Sequence, residues 1–123
     1  MATAKEIKNT VRSLLAETEQ SMDSYETFFI PILNTLIIEN TVHDKRLKEL
    51  KGVVTDIGYE KVEEPDDVIY FEDEIALGVL PYGVAAYLLV ESDPQRSGVF
   101  LNIYRQMQNK HNKASLKAIR EVY

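Results

Sequence analysis

The chain has 123 residues with a mass of 14.1 kDa, 45% hydrophobic and 28% charged residues, which suits one domain with one core and excludes both a two-core protein and wholesale disorder. It contains no cysteine, so disulfides, thiolate nucleophiles and sulfur-ligated metals are excluded. A formal net charge of -6 with a pI near 4.9 argues against general nucleic-acid binding, which needs a basic surface.

Met1 to Glu6 lacks a basic start followed by an apolar run, and no stretch reaches the ~18 apolar residues of a membrane span, so a soluble, non-exported protein is expected. Thr3 with Glu6 forms a capping-box pattern, in which hydroxyl and carboxylate each serve an exposed backbone amide. Ile7, Val11, Leu14 and Leu15 then recur at helical spacing and predict an amphipathic first helix, closed by the polar stretch Thr18 to Ser24. Asp23 or Ser24 can cap a second helix through Phe28, Phe29, Ile32, Leu33, Leu36 and Ile37, the strongest core signal in the chain. Pro31 lacks an amide hydrogen and predicts a kink there, or a start later than Ser24.

Between His43 and Phe71 the helical rhythm weakens. Leu47 and Leu50 suggest a short helix, and Gly52, Gly58 and Pro65 then punctuate pieces rich in Val, Ile and Tyr. A hairpin is expected, with Val53 to Ile57 or Tyr59 to Val62 paired to Val68 to Phe71 around a Pro65-Asp66-Asp67 turn. Pro81 follows Leu80 at a position suited to starting a helix, which continues through Val84, Ala85, Tyr87, Leu88 and Leu89. Ser92-Asp93-Pro94 is a second such start, for a helix with Phe100, Ile103, Tyr104 and Met107 on one face. Beyond Gln108 the chain turns polar and basic, with a thin apolar stripe of Leu116, Ile119, Val122 and Tyr123, and reads as an arm that needs a partner surface.

Charge is distributed unevenly. Asp56 to Glu74 holds nine acidic residues against Lys61 alone, whereas Arg105 to Tyr123 holds five basic residues against Glu121 alone. Unlike-charged segments of this kind can attract one another between copies.

Signs of chemistry are sparse. His43 and His111 are isolated, with no His-Glu-x-x-His spacing, which favours surface or capping roles. Asp66, Asp67, Glu72, Asp73 and Glu74 could hold a hard cation or an acid/base pair, but calcium-loop spacing is missing and no apolar framing separates their pKa values, so a solvated acidic face is the better reading. Gly78 and Gly83 have phosphate-loop spacing without the Lys and Ser/Thr that follow in such loops, and close helix packing explains them better. No Gly-x-Ser-x-Gly turn occurs. Neither an enzyme nor a cofactor is expected.

The string GVLPYGVAAYLLVESDPQRSGVFLNIYRQM at Gly78 to Met107 resembles the late helical pair of tailed-bacteriophage head-tail connector (adaptor, or head-completion) proteins. Such a pair has a Leu-Pro start, an Ala-rich apolar helix, an acidic joint and a helix with an aromatic followed by Tyr. Thr3 to Asn40 is similar to the family's N-terminal pair, and Leu116 to Tyr123 to the Ile-x-x-Val-Tyr endings of related small phage proteins, while Asp44 to Phe71 departs from the family's barest form. These are patterns of residue classes that together span most of the chain. The resemblance implies a structural subunit of a homo-oligomeric ring, commonly a dodecamer and monomeric in isolation, stacked beneath the portal protein. Tail or head-closure proteins would dock below, with DNA only as passing cargo. The place implied is the virion's head-tail interface, reached from the bacterial host cytoplasm during assembly, whether from an infecting phage or a prophage.

The expected fold is mainly α: a compact four-helix-based single domain over 1–108, with an irregular or β insertion at about 44–71 and a basic C-terminal arm over 109–123. Phe28, Phe29, Ile32, Leu36, Leu88, Phe100 and Tyr104 are expected core residues. Arg105, Lys110, Lys113, Lys117, Arg120 and Tyr123 are the expected assembly contact, and Glu63, Glu64, Asp66, Asp67, Glu72, Asp73 and Glu74 an acidic channel or inter-subunit face. The alternative is a small cytosolic regulatory or nucleic-acid-binding module that uses the same basic helix.

Overall fold

The structure, a computed structural model, describes residues 1–16, 25–53 and 61–122, the side chains of Glu26 and of 111–122 apart. It is mainly helical: α1 (Ala4–Leu15), α2 (Glu26–Leu50), the single turn α3 (Asp73–Ala76), α4 (Leu80–Leu89) and α5 (Pro94–Val122). The 18–24 stretch expected to close the first helix, with its Asp23 and Ser24 caps, lies outside the described residues.

α1 forms where its pattern predicts, with Leu14 of the expected stripe only partly buried. Thr3 is extended (φ -99°, ψ 162°) and its Oγ1 accepts from the Glu6 N–H at 3.2 Å, while Ala4, Ile7, Val11 and Leu15 share the buried stripe. The helix stops at Ala16, whose left-handed backbone (φ 56°) directs its N–H back to the carbonyls of Arg12 and Ser13.

α2 starts at Glu26, later than Ser24 as Pro31 demanded, and carries that proline near its beginning. The short separate helix expected after His43 is instead the continuation of α2 to Leu50, so the insertion begins later than residue 44. The buried face runs Phe29, Leu33, Leu36, Ile37, Asn40, Asp44 and Lys48 at unbroken helical spacing. Polar residues occupy the last three core-facing positions, which hides the rhythm from a reading of apolar residues alone. Gly52 takes a left-handed backbone (φ 73°) that ends the helix, with its N–H on the Glu49 carbonyl and the Val53 N–H on the Lys48 carbonyl.

The expected hairpin is absent among the described residues; of its candidate strands, 54–60 lie outside them. The turn at Pro65-Asp66-Asp67 does form, with the Asp67 N–H on the Glu64 carbonyl at 3.1 Å. The extended chain after it pairs elsewhere: Val68 bridges Thr3 in antiparallel fashion, and the Ile69 N–H donates to the Ala2 carbonyl at 2.8 Å. Before the turn, the Asn34 side chain stands in for a strand, donating to the Val62 carbonyl at 2.9 Å and accepting from the Val62 N–H at 2.8 Å. Val62, Ile69 and Phe71 are thereby drawn into the core.

α4 is the centre of the molecule and packs against α1, α2, α3 and α5. Its apolar residues on every side follow from that position: Leu80, Pro81, Gly83 to Ala86, Leu88 and Leu89 are all buried. α5 begins as Ser92-Asp93-Pro94 predicts, with Asp93 Oδ1 accepting from the Arg96 N–H at 3.2 Å. Ser97 Oγ donates to the Ala86 carbonyl at 2.6 Å and clamps α5 onto α4.

Of the expected core residues, Phe29, Leu36, Leu88 and Tyr104 are buried, and Ile32 and Phe100 are partly buried against the core. Phe28 is 60% exposed, a correction that follows from its place one residue from Phe29, about 100° around the helix.

Candidate assembly surfaces

The seven expected acidic residues fall into two anchored groups. Glu63, Glu64, Asp66 and Asp67 form the turn that sits on the N-terminal end of α1, where Asp67 and Pro65 offer carbonyls to the otherwise free amides of Ala4 (3.0 Å) and Lys5 (2.8 Å). Helix N-termini favour negative charge, so an acidic turn suits this seat. Asp67 Oδ2 also accepts from the Glu64 and Glu63 N–H groups, each at 2.9 Å, and these bonds hold its carboxyl below the usual carboxylate range. A depressed folded-state pKa contributes stability that is present above the unfolded value and lost as pH falls through the folded one. Asp67→Ala is therefore expected to lower the melting temperature near neutral pH, with the difference from wild type shrinking as pH drops below about 4. Thermal melts of both proteins across pH 2 to 7 check this, and a pH-independent gap would remove the assignment.

Glu72, Asp73 and Glu74 gather where α3 begins, beside the end of α2. Lys51 pairs with Glu74 and reaches Glu72 Oε1 at 3.9 Å, and the hydrogen bond to Glu74 raises the Lys51 pKa. Glu63, Glu64, Asp66, Asp73 and Glu74 remain exposed, which leaves acidic surface for a partner.

The basic residues lie on α5. Arg105 is engaged within its own chain, with Nη1 2.9 Å from Glu39 Oε1 and 3.2 Å from Gln108 Oε1, and its guanidinium over the Tyr104 ring. Lys110 is exposed; Lys113, Lys117 and Arg120 follow on the same helix, and Tyr123 lies outside the described residues. Positions 110, 113, 117 and 120 are spaced three, four and three residues apart, which puts all four on one helix face.

Behind Arg105 lies a polar network that sequence reasoning missed. The buried Asn40 amide donates to Tyr104 Oη at 2.8 Å and to the Leu36 carbonyl at 2.8 Å, and accepts from Gln108 Nε2 at 2.9 Å; Tyr104 Oη donates to Glu39 Oε1 at 3.1 Å. Burial pushes the Tyr104 pKa far up, so the phenol stays protonated. Among the described residues no buried side-chain nitrogen or oxygen lacks a hydrogen-bond partner. The network therefore fixes α2 against α5 and has no unsatisfied group aimed at a ligand. Asn40, Asp44, Lys48 and Gln108 carried one signal, namely polar residues at core-facing helical positions.

A second feature was also missed. Tyr25, Phe28 and Ile32 from the start of α2 face Tyr87, Leu88 and Val90 from the end of α4 across an open groove of about 400 Å³, with Glu91 and Ser92 on its rim.

Among the described residues no three His, Asp or Glu side chains are grouped to hold a metal ion, and no helix is long and apolar enough to cross a membrane. Comparison of the chain with known protein families, characterised proteins and solved structures gives no match. The arrangement offers surfaces for association: an exposed acidic rim, a basic helix face and an apolar groove.

Proposed function

We propose that the chain is a structural subunit of a head-tail connector ring in a tailed bacteriophage, joining the portal protein to tail or head-closure components and lining part of the DNA channel. One observation supports it above others: the exposed acids at Glu63 to Glu74 and the basic positions 110, 113, 117 and 120 belong to different elements of the fold. Unlike edges on one body favour head-to-tail contact between copies, and such a contact closes a ring when the rotation between copies permits. Acidic channel walls would let DNA pass without sticking.

Native mass spectrometry of the chain, alone and with the portal protein of the same phage, tests the proposal. A ring that forms on the portal is the expected result, and glutamine at 110, 113, 117 and 120 should abolish it; Arg105 is left intact because it serves Glu39. A chain that stays solitary with the portal present overturns the reading. The same basic face favours the alternative, a nucleic-acid-binding module. Duplex-DNA affinity of the isolated chain that falls with salt at a log-log slope of about -3 to -4, lost in the same variant, would establish that alternative.

A further inference from the structure

We infer that the groove between α2 and α4 is the receptor for the C-terminal part of α5 from a second copy of this chain. The groove is an apolar surface left open: Phe28 is 60% exposed, Val90 54% and Tyr87 38%. Its volume of about 400 Å³ lies within the ~300–1,000 Å³ of typical binding clefts.

The occupant is indicated by the far end of the same helix. Leu116, Ile119 and Val122 recur at three-residue steps on α5, which sets them in a stripe beside the basic face, with Leu116 next to Lys113 and Arg120 at helical spacing and Ile119 and Val122 progressively further round the helix. A helix with one apolar and one basic face fits an apolar cleft by the helix-in-groove mode, with anchors at successive turns. Charge agrees, because Glu91 stands on the groove rim and Lys113, Lys117 and Arg120 flank the apolar anchors.

The geometry excludes a chain filling its own groove. Val90, Glu91 and Ser92 of the rim immediately precede Pro94, where α5 starts. At a rise of ~1.5 Å per residue, a continuous helix carries Leu116 about 33 Å and Val122 about 42 Å from that start. The anchors of one copy therefore reach only another copy's groove. The contact is heterologous, since each copy offers an arm at one end and a groove at the other, and it propagates into a ring or a filament.

The inference rests on the self-association part of the connector reading and not on the portal. Because the chain has no cysteine, the contact can be tested by disulfide coupling without background. Ser92→Cys marks the rim and Ser115→Cys the apolar stripe, at helical spacing from Ile119 and Val122; Asn102→Cys, exposed earlier on α5, is the control. Mixing the Ser92→Cys and Ser115→Cys proteins under mild oxidation should give a covalent heterodimer in about tenfold higher yield than Ser92→Cys with Asn102→Cys, and Ile119→Glu or Val90→Asp should reduce that yield about tenfold. Circular dichroism of each variant confirms the fold.

Equal coupling to both partners overturns the proposal. So does an internal disulfide in a dilute Ser92→Cys/Ser115→Cys double variant, which would show the arm folding back. Coupling between copies without any binding to the portal would remove the connector reading and leave the groove assignment standing; portal rings that survive Val90→Asp and Ile119→Glu would do the reverse.

Discussion

Asp44→Ala is expected to destabilise the protein by about 3–5 kcal/mol, the largest effect of any single side-chain truncation considered for this molecule. Asp44 is fully buried and Lys48 nearly so, and the two form an ion pair one helical turn apart on α2. Neither residue serves the helix alone. Asp44 Oδ1 accepts from the Glu72 N–H at 2.7 Å, and Lys48 Nζ donates to the Tyr70 carbonyl, so the pair fastens the extended chain at 70–72 to the end of α2. Removing the carboxylate takes the counter-ion from a buried ammonium and the acceptor from a backbone amide, and each loss adds cost. Against a usual total of ~5–15 kcal/mol, the variant sits near the threshold of folding. The double variant Asp44→Leu/Lys48→Met removes both charges and should be destabilised by only about 1–3 kcal/mol, the residue of the two backbone groups left unmatched. Urea unfolding of the two single variants and the double completes the cycle; costs that simply add would show that the pair is not coupled.

That pair also marks where sequence reading stops. α1, and the starts at Pro81 and Asp93-Pro94, were legible because capping and proline act within one turn of chain. The central place of α4 was not read, although its nearly unbroken apolar residues from Leu80 to Leu89 carried that signal. By contrast, α2 from residue 43 onward reads as weakening helix because Asn40, Asp44 and Lys48 hold core positions, and their partners Tyr104, Gln108, Tyr70 and Glu72 come from other segments. The Pro65-Asp66-Asp67 turn formed as its residues indicated, but the hairpin expected around it did not, because nothing local says that Val68 bridges Thr3 instead of a neighbouring strand. The candidate surfaces divide in the same way. The basic face of α5 follows from spacing along one helix, whereas the groove needs walls from Phe28 and Tyr87, which only the fold brings together.

Two glycine-to-alanine substitutions in helices should have opposite signs. At Gly98, exposed in α5, an added methyl meets nothing within 4 Å, so the gain in helix propensity stands alone and stabilises by about 0.5–1 kcal/mol. At Gly83 in α4 the methyl would lie 2.8 Å from Cε2 and 2.9 Å from Cδ2 of Tyr104, and 2.9 Å from Cδ1 of Leu36. The same propensity gain applies, so the outcome depends on whether the ring can move aside. It is held at its far end, where Asn40 donates to Oη at 2.8 Å and Glu39 accepts from it at 3.1 Å, and it is wholly buried. Overpacking against a pinned ring costs about 1–3 kcal/mol, which exceeds the gain. Gly83→Ala should therefore lower the melting temperature by several degrees while Gly98→Ala raises it. Tyr104→Phe removes the pin at a cost of about 1 kcal/mol and lets the ring tilt, so Gly83→Ala/Tyr104→Phe should be less destabilised than the sum of its parts. Additivity in that double variant, or a Gly83→Ala protein as stable as Gly98→Ala, would mean that the bonds from Asn40 and Glu39 on α2 do not pin the Tyr104 ring against Gly83.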